Sequence, residues 1–519
     1  MSCIATDQNE CKEDGKLGRV LYLDPRFKNL DKMRVRIWLF VIAAIPSLCA
    51  TAQDTRVEET VTRNKIESHI YFLASDVLKG RDTGSPELDI AAEYIASRFR
   101  EYGIAPLNGS YYQEVPFKRV VPPTQGVITT GDLTMAVGDD VLMLDGGNGD
   151  WSRELVFVGY GTEKDFKKAK VEGKIVVAIC GEEGEQNPRV FTRLAAEKKK
   201  LVTQYGGLGL IELYNSTMIP WSLLVRYLHG ERIALDKGEE SMLHLWVNDS
   251  NNERVAQFDQ KNATVDIKVE GMVNESFTSK NVVGVLPGTD SDLKEEYMMY
   301  SAHYDHVGVG APNDDGDSIY NGSRDNAVGT VTVLAMAENL GKYPPKRSSL
   351  FVLFTGEEKG LLGSQYFADH PAIPLNQIIY CFNSDNGGYN DTSLATIIGL
   401  SRTTADQEIR QACEAYGLKA IDDPAPEQGL FDRSDNVNFA KKGVPAPTFG
   451  MGFTAFDEEI GKYYHQVTDN PETLDYEYLE KFFRAYVYSG RLIADRDTRP
   501  FWVEGDKYYE AGKLLYQQE

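Results

Sequence analysis

Five short segments each close an apolar run with a side chain able to bind a cation: SAHYDHVG from Ser301, SRDNAVGT from Ser323, FTGEEKG from Phe354, CFNSDNGG from Cys381 and KYYHQ from Lys462. They offer His303, Asp325, Glu358, Asp385 and His465, two imidazoles and three carboxylates. Imidazole nitrogen and carboxylate oxygen are ligands for zinc, and this set suits a pair of divalent ions that share one bridging carboxylate. The chemistry such a pair serves is hydrolysis by an activated water.

Elements of regular structure must hold these side chains together. MMYSAHYDHVG, SSLFVLFTGEEKG and QIIYCFNSDNGG read as buried strands that end in His303 and Asp305, in Glu357 and Glu358, and in Asp385. A single histidine on a strand is more often a hydrogen-bonded core residue than a ligand, but three strands delivering acids or imidazoles at their carboxyl ends is the arrangement by which open α/β sheets bind ligands. Burying the Glu357–Glu358 doublet at a strand end costs several kcal/mol unless a cation compensates it, so the doublet argues for metal over packing. Neighbouring side chains of an extended chain point opposite ways, which assigns Glu358 as ligand and Glu357 as general base.

In this order the five segments resemble the co-catalytic zinc exopeptidase family that includes secreted bacterial leucyl aminopeptidases and, more distantly, glutamate carboxypeptidase. The likeness runs from LASDVLKGRDTGSPELDIAAEYIASRF near the start to YYHQVTDNPETLD near the end. It implies an α/β zinc-exopeptidase fold, with a mixed, largely parallel central sheet flanked by helices. It implies two zinc ions, one held by His303 and Asp385, the other by Glu358 and His465, with Asp325 bridging them and a cis peptide between Asp325 and Asn326. Asp305 then orients the His303 imidazole, Glu357 moves the proton, and Tyr464 donates a hydrogen bond to the tetrahedral oxyanion.

Two departures touch the substrate side. Relatives often read GADDNASG where this chain has GSRDNAVG, so Arg324 replaces an acid beside Asp325. The stretch RSDNVNFAKKGVP from Arg433 resembles a loop that often reads SDH, with Asn436 in place of the histidine. Arg433 and Arg324 are the candidate substrate contacts: two guanidiniums in the cleft favour a substrate carboxylate and a carboxypeptidase, whereas the carboxylates Glu357, Asp385 and Asp305 favour a substrate ammonium and an aminopeptidase. Glutaminyl cyclases share the fold with one zinc, and a silent binding protein of this fold is expected to have lost ligands or Glu357. Here all five ligands and the base are kept.

With 519 residues the chain exceeds what one core serves. The expected division is a catalytic unit at 53–119 and 280–500, a β-rich insertion at 120–279 and a tail at 501–519. The VGYG and EGKIVV phrases of the insertion resemble the protease-associated domain of such exopeptidases. A formal charge of −23 opposes nucleic-acid binding, and the resemblance implies peptides as the partners. MRVR from Met33, an apolar run of about 13 residues and Ala50 and Ala52 read as a secretory signal at 33–52, too short for a membrane span, which predicts secretion or periplasmic release. Residues 1–32 then read as a mis-assigned leader. Cleavage leaves Cys180, Cys381 and Cys413, which imply no disulfide framework.

Overall fold

The computed structural model describes residues 53–238 and 241–517. The leader and signal expected at 1–32 and 33–52 lie outside them.

Near the start, the stretch Thr60–Leu78 predicts one helix; the helix that forms is Arg63–Leu73, preceded by a separate short helix at Thr55–Thr60 and followed by a 3-10 segment at Asp76–Arg81. The break falls at Val61 and Thr62, both extended, within a β-branched run whose side chains lose rotamer freedom in a helix. Ser85 as N-cap, Pro86 at the first helical position and Gly103 as terminator predict a helix that forms as α1, Pro86–Glu101: Ser85 Oγ accepts from the Leu88 N–H at 3.1 Å, Pro86 opens the first turn, and Arg98 and Arg100 sit at the negative end. It buries Leu88, Ala91, Ile95 and Phe99, and Gly103, at φ 75°, terminates it.

A mixed ten-stranded sheet forms the centre. Its principal strands are β1 (Tyr112–Val121), β2 (Val273–Leu286), β3 (Tyr297–His303), β4 (Ser348–Phe354), β5 (Ile378–Ser384) and β6 (Thr448–Met451). β3 lies between β4 and β5, parallel to both, and β6 runs parallel to β5. β2 is antiparallel to β4 and β1. Every residue of β4 and β5 is buried, as strands covered on both faces must be. Tyr300, Phe351 and Phe382 face α1, α2 (Gly329–Lys342) and α3 (Tyr476–Ala494), while Met299, Leu350 and Val352 face Phe367, Phe439 and Trp502. The alternation along β3 and β4 is the two-residue period of a strand.

Between Gln125 and Glu270 an eight-stranded sheet builds its own core around Ile128, Val177, Ile211, Leu245 and Ile267. The separation from the central sheet is not clean. Within this stretch Arg232–Leu235 pairs with β1, and the expected boundaries at 119/120 and 279/280 fall inside β1 and β2. The expected tail is packed: Trp502 is buried and donates to the Gly443 carbonyl at 2.9 Å, and Tyr509–Tyr516 is helical. No helix among the described residues is long and apolar enough to cross a membrane. Cys180, Cys381 and Cys413 are free and buried.

Candidate metal centre

The three parallel strands β3, β4 and β5 end side by side and carry His303, the Glu357–Glu358 turn and Asp385 to one edge of the sheet. His303 Nε2 lies 3.3 Å from Asp325 Oδ1 and 3.4 Å from Asp385 Oδ1. His465 Nε2 lies 3.0 Å from Asp325 Oδ2 and 3.2 Å from Glu358 Oε2. Asp325 thus turns one oxygen to each imidazole, the posture of a bridging ligand. Two groups of donor atoms result, each within 4.8 Å of one another: His303, Glu357 and Asp385, and His306, Asp325, Glu358 and His465.

Asp325 sits in the kinked turn Ser323–Val328 that opens α2, and its peptide bond to Asn326 is cis. The Asp469 carboxylate accepts from the backbone N–H of Arg324 at 2.8 Å and of Asp325 at 3.3 Å. Asn326 donates to the Ser384 carbonyl at 3.0 Å and accepts from the Gly329 N–H at 3.0 Å, tying the turn to the end of β5 and to the first residue of α2. Asp305 accepts from Thr83 Oγ1 at 2.8 Å and from the N–H groups of Glu357 at 3.2 Å and Glu358 at 3.4 Å, so its carboxylate fixes the acidic turn. The orienting contact expected between that carboxylate and His303 is too long at 3.8 Å; His303 Nδ1 instead lies 3.2 Å from the Asp305 backbone carbonyl.

Burial lifts the Glu357 carboxyl well above the usual glutamate range, with His303 pulling against it and Asp385, Asp435 and Glu358 adding to it. A carboxylate raised in this way is a stronger base than an ordinary glutamate. Burial and Asp325 push Glu358 up as well, but hydrogen bonds from His306 and His465 hold it near about 2. Burial disfavours both imidazolium ions, yet Asp325 and Glu358 raise His465 to about 10, and Glu357, Asp385 and Asp325 raise His303 well above its ordinary value. Imidazoles drawn to hold protons among crowded carboxylates mark a centre that attracts cations, and the all-nitrogen-and-oxygen donor set fits zinc.

Tyr464 stacks on His465 at 4.2 Å between ring centroids, and burial pushes its phenol above the ordinary value. With Asp385 it borders a chamber whose floor is Ile398, Leu430, Met451, Phe453, Phe456 and Ile460. Arg433 is exposed on the chamber's lining. Arg324 is not brought into the cleft: its guanidinium is 3% exposed, donates to Asp469 Oδ1 at 2.8 Å and Thr473 Oγ1 at 2.7 Å, and lies 3.6 Å from the Tyr463 ring centroid. The expected substrate contact of Arg324 therefore gives way to a structural one, because both terminal nitrogens of its guanidinium are engaged inside by Asp469 and Thr473. Asn436 is buried and donates to the Ala446 carbonyl at 3.0 Å.

Reading the sequence missed His306, Arg81 and Asp469. Arg81 is buried and donates to the carbonyls of Tyr304 at 2.9 Å and Asn321 at 2.7 Å, clasping the loops on either side of the centre. The one available signal was a third imidazole directly after Asp305.

The model of "Peptidase family M28" matches residues 281–489. The likeness to that family covers these residues. The matched segment contains both donor groups, Tyr464, Arg433 and β3 to β6. Across the wider chain, "Aminopeptidase YwaD" of Bacillus subtilis (strain 168) is 26% identical over 336 residues, covering 63% of this chain and 64% of that protein. The "probable leucine aminopeptidase 2" of Aspergillus oryzae (strain ATCC 42149 / RIB 40) is 26% identical over 234 residues, 41% of this chain and 44% of that protein. The matches thus span less than two thirds of these relatives' own lengths. In fold, the chain is similar to the solved "Aminopeptidase from Aneurinibacillus sp. strain AM-1", with a TM-score of 0.51 and 21% identity over 86% of this chain and 96% of that one.

Proposed function

We propose that this protein is a zinc-dependent exopeptidase that uses two zinc ions to remove amino acids from the N-terminus of peptides. The observation that carries the reading is the pair of Asp325 oxygens facing two imidazoles, 3.3 Å and 3.0 Å away, with Glu357 in one of the two donor groups. His303, Asp385 and Asp325 would hold one ion and Glu358, His465 and Asp325 the other. Ions bound there would polarise the scissile carbonyl and acidify water. Glu357 takes the proton of the attacking water and returns it to the departing amine. Tyr464 donates a hydrogen bond to the carbonyl oxygen as charge develops on it. The apolar chamber beside Asp385 takes the side chain of the residue released.

Two observations bear on direction. The Asp385 carboxylate on the chamber's lining, with Glu357 in the same donor group, suits a substrate ammonium, and charge-assisted bonds to such groups are the strong ones. Arg433 alone favours a substrate carboxylate and hence the carboxypeptidase reading, since Arg324 is withdrawn into its own ion pair. The eight-stranded stretch is read as a protease-associated insertion at 120–279, on the strength of its phrases and its separate core. Export through the segment Met33–Ala52 rests on sequence. The test is a panel of peptides with free and acetylated N-termini, incubated with zinc-loaded protein and followed by mass spectrometry. Free peptides shorten from the N-terminus and acetylated ones stay intact; loss of C-terminal residues at equal rates from both would overturn the aminopeptidase reading.

A further inference from the structure

His306 follows Asp305 directly and has no part in the ligand set read from sequence. Its Nδ1 lies 2.8 Å from Glu358 Oε1, with the two side chains 0% and 5% exposed. A carboxylate oxygen only accepts, so Nδ1 carries the hydrogen. The other oxygen of Glu358, Oε2, faces His465 Nε2 at 3.2 Å. The two oxygens of this one carboxylate therefore have separate partners, Oε1 bonded to His306 and Oε2 turned toward His465.

The His306 ring is itself immobilised. The His306 backbone N–H donates to the Arg81 carbonyl at 3.1 Å, and the ring packs edge-on against His465 at 5.5 Å between centroids. Gly322, at φ +59°, makes room on the far side, where a Cβ would come within 2.6 Å of the ring. His306 Nε2 is buried with no hydrogen-bond partner among the described residues, so the ring's polar hold is on Glu358 alone. Asp385, the corresponding carboxylate of the other donor group, is 19% exposed, and its hydrogen bond among the described residues is to His303 itself. No imidazole stands behind it.

We propose that His306 is a positioning residue that locks the Glu358 carboxylate, so that the cation held by Glu358 and His465 is bound more tightly than the one held by His303 and Asp385. The inference rests on the two-ion reading given above. A hydrogen-bonded partner behind a ligand is worth about 10- to 100-fold in metal affinity.

Zinc binding measured by chelator competition on the full chain tests it, in variants that each keep one ion. With Asp385→Ala removing one site, His306→Ala should weaken the remaining zinc about 10- to 100-fold. With Glu358→Ala removing the other site, His306→Ala should leave the remaining zinc unchanged. His306→Asn, whose amide N–H falls near the position of Nδ1, should recover most of the affinity, and His306→Gln, whose N–H is displaced, should not. This pair carries the test if His306→Ala does not fold. Unchanged affinity in the Asp385→Ala background, or equal weakening in both backgrounds, would overturn the proposal. Protein with His306 intact that binds no zinc at all would instead overturn the two-ion reading, so the two failures are separable.

Discussion

In the eight-stranded sheet, Glu212 is buried with a full set of donors: Lys198 Nζ at 2.9 Å on one oxygen, His244 Nε2 at 2.9 Å and Trp246 Nε1 at 3.1 Å on the other. Lys198 also reaches the Ile179 carbonyl at 2.6 Å. At the edge of the central sheet, Asp325, Glu357, Glu358, Asp385 and Asp305 crowd three imidazoles, and among the described residues no lysine or arginine pairs with any of them. Both clusters bury carboxylate and imidazole on strands. The first closes its own charge balance and serves architecture; the second has carboxylates in excess of donors, and that excess is what makes it a place for cations.

Glu357→Gln strikes the open cluster hardest. It keeps shape and removes the proton acceptor, so turnover should fall about 100- to 10,000-fold while zinc content stays at the wild-type level. Full activity in a zinc-replete variant would remove Glu357 from its role.

The closed cluster answers in stability. Glu212→Ala leaves Lys198 buried without its partner and should cost about 3–5 kcal/mol in denaturant unfolding, with no change in the catalytic rate of the folded enzyme. A rate loss as large as that of Glu357→Gln would erase the distinction between the two clusters.

Tyr464→Phe removes a single donor and should lower turnover about 100- to 1000-fold, with substrate affinity little changed. An effect confined to KM would make Tyr464 a wall of the chamber and no more.

The smallest effect is in acid. Burial raises the Glu212 carboxyl, but His244 and Lys198 outweigh it and hold it below its ordinary value of 4.5. A group depressed in the folded state contributes stability above its unfolded value and loses it as pH falls through the folded one. Melting scans below about pH 4.5 should therefore show an acid loss in wild type that Glu212→Gln lacks; parallel pH profiles would contradict the account of this cluster.

What was legible in the sequence follows from the physics of each element. Strands with both faces covered read as unbroken apolar runs, so β3, β4 and β5 and the side chains at their ends were visible. α1 was visible because Ser85, Pro86 and Gly103 mark its limits. His306 was not, because periodicity stops where the strand stops, and its aim is set by Arg81, far away in the chain. Nor was the inward turn of Arg324, which depends on Asp469 and Thr473. The edge of the expected insertion was blurred because β1 and β2 run through it and Arg232–Leu235 returns to the central sheet. Long-range pairing of this kind leaves no local signature.

The central claim is that the excess of buried carboxylates around Asp325 holds two ions. Anomalous scattering at the zinc edge from crystals of the zinc-loaded protein tests it most directly. The account predicts two peaks about 3.5–4 Å apart, one beside His303 and Asp385, the other beside Glu358 and His465, with Asp325 between them. A single peak with Asp325 bound to it alone, or no peak within reach of these side chains, would contradict it.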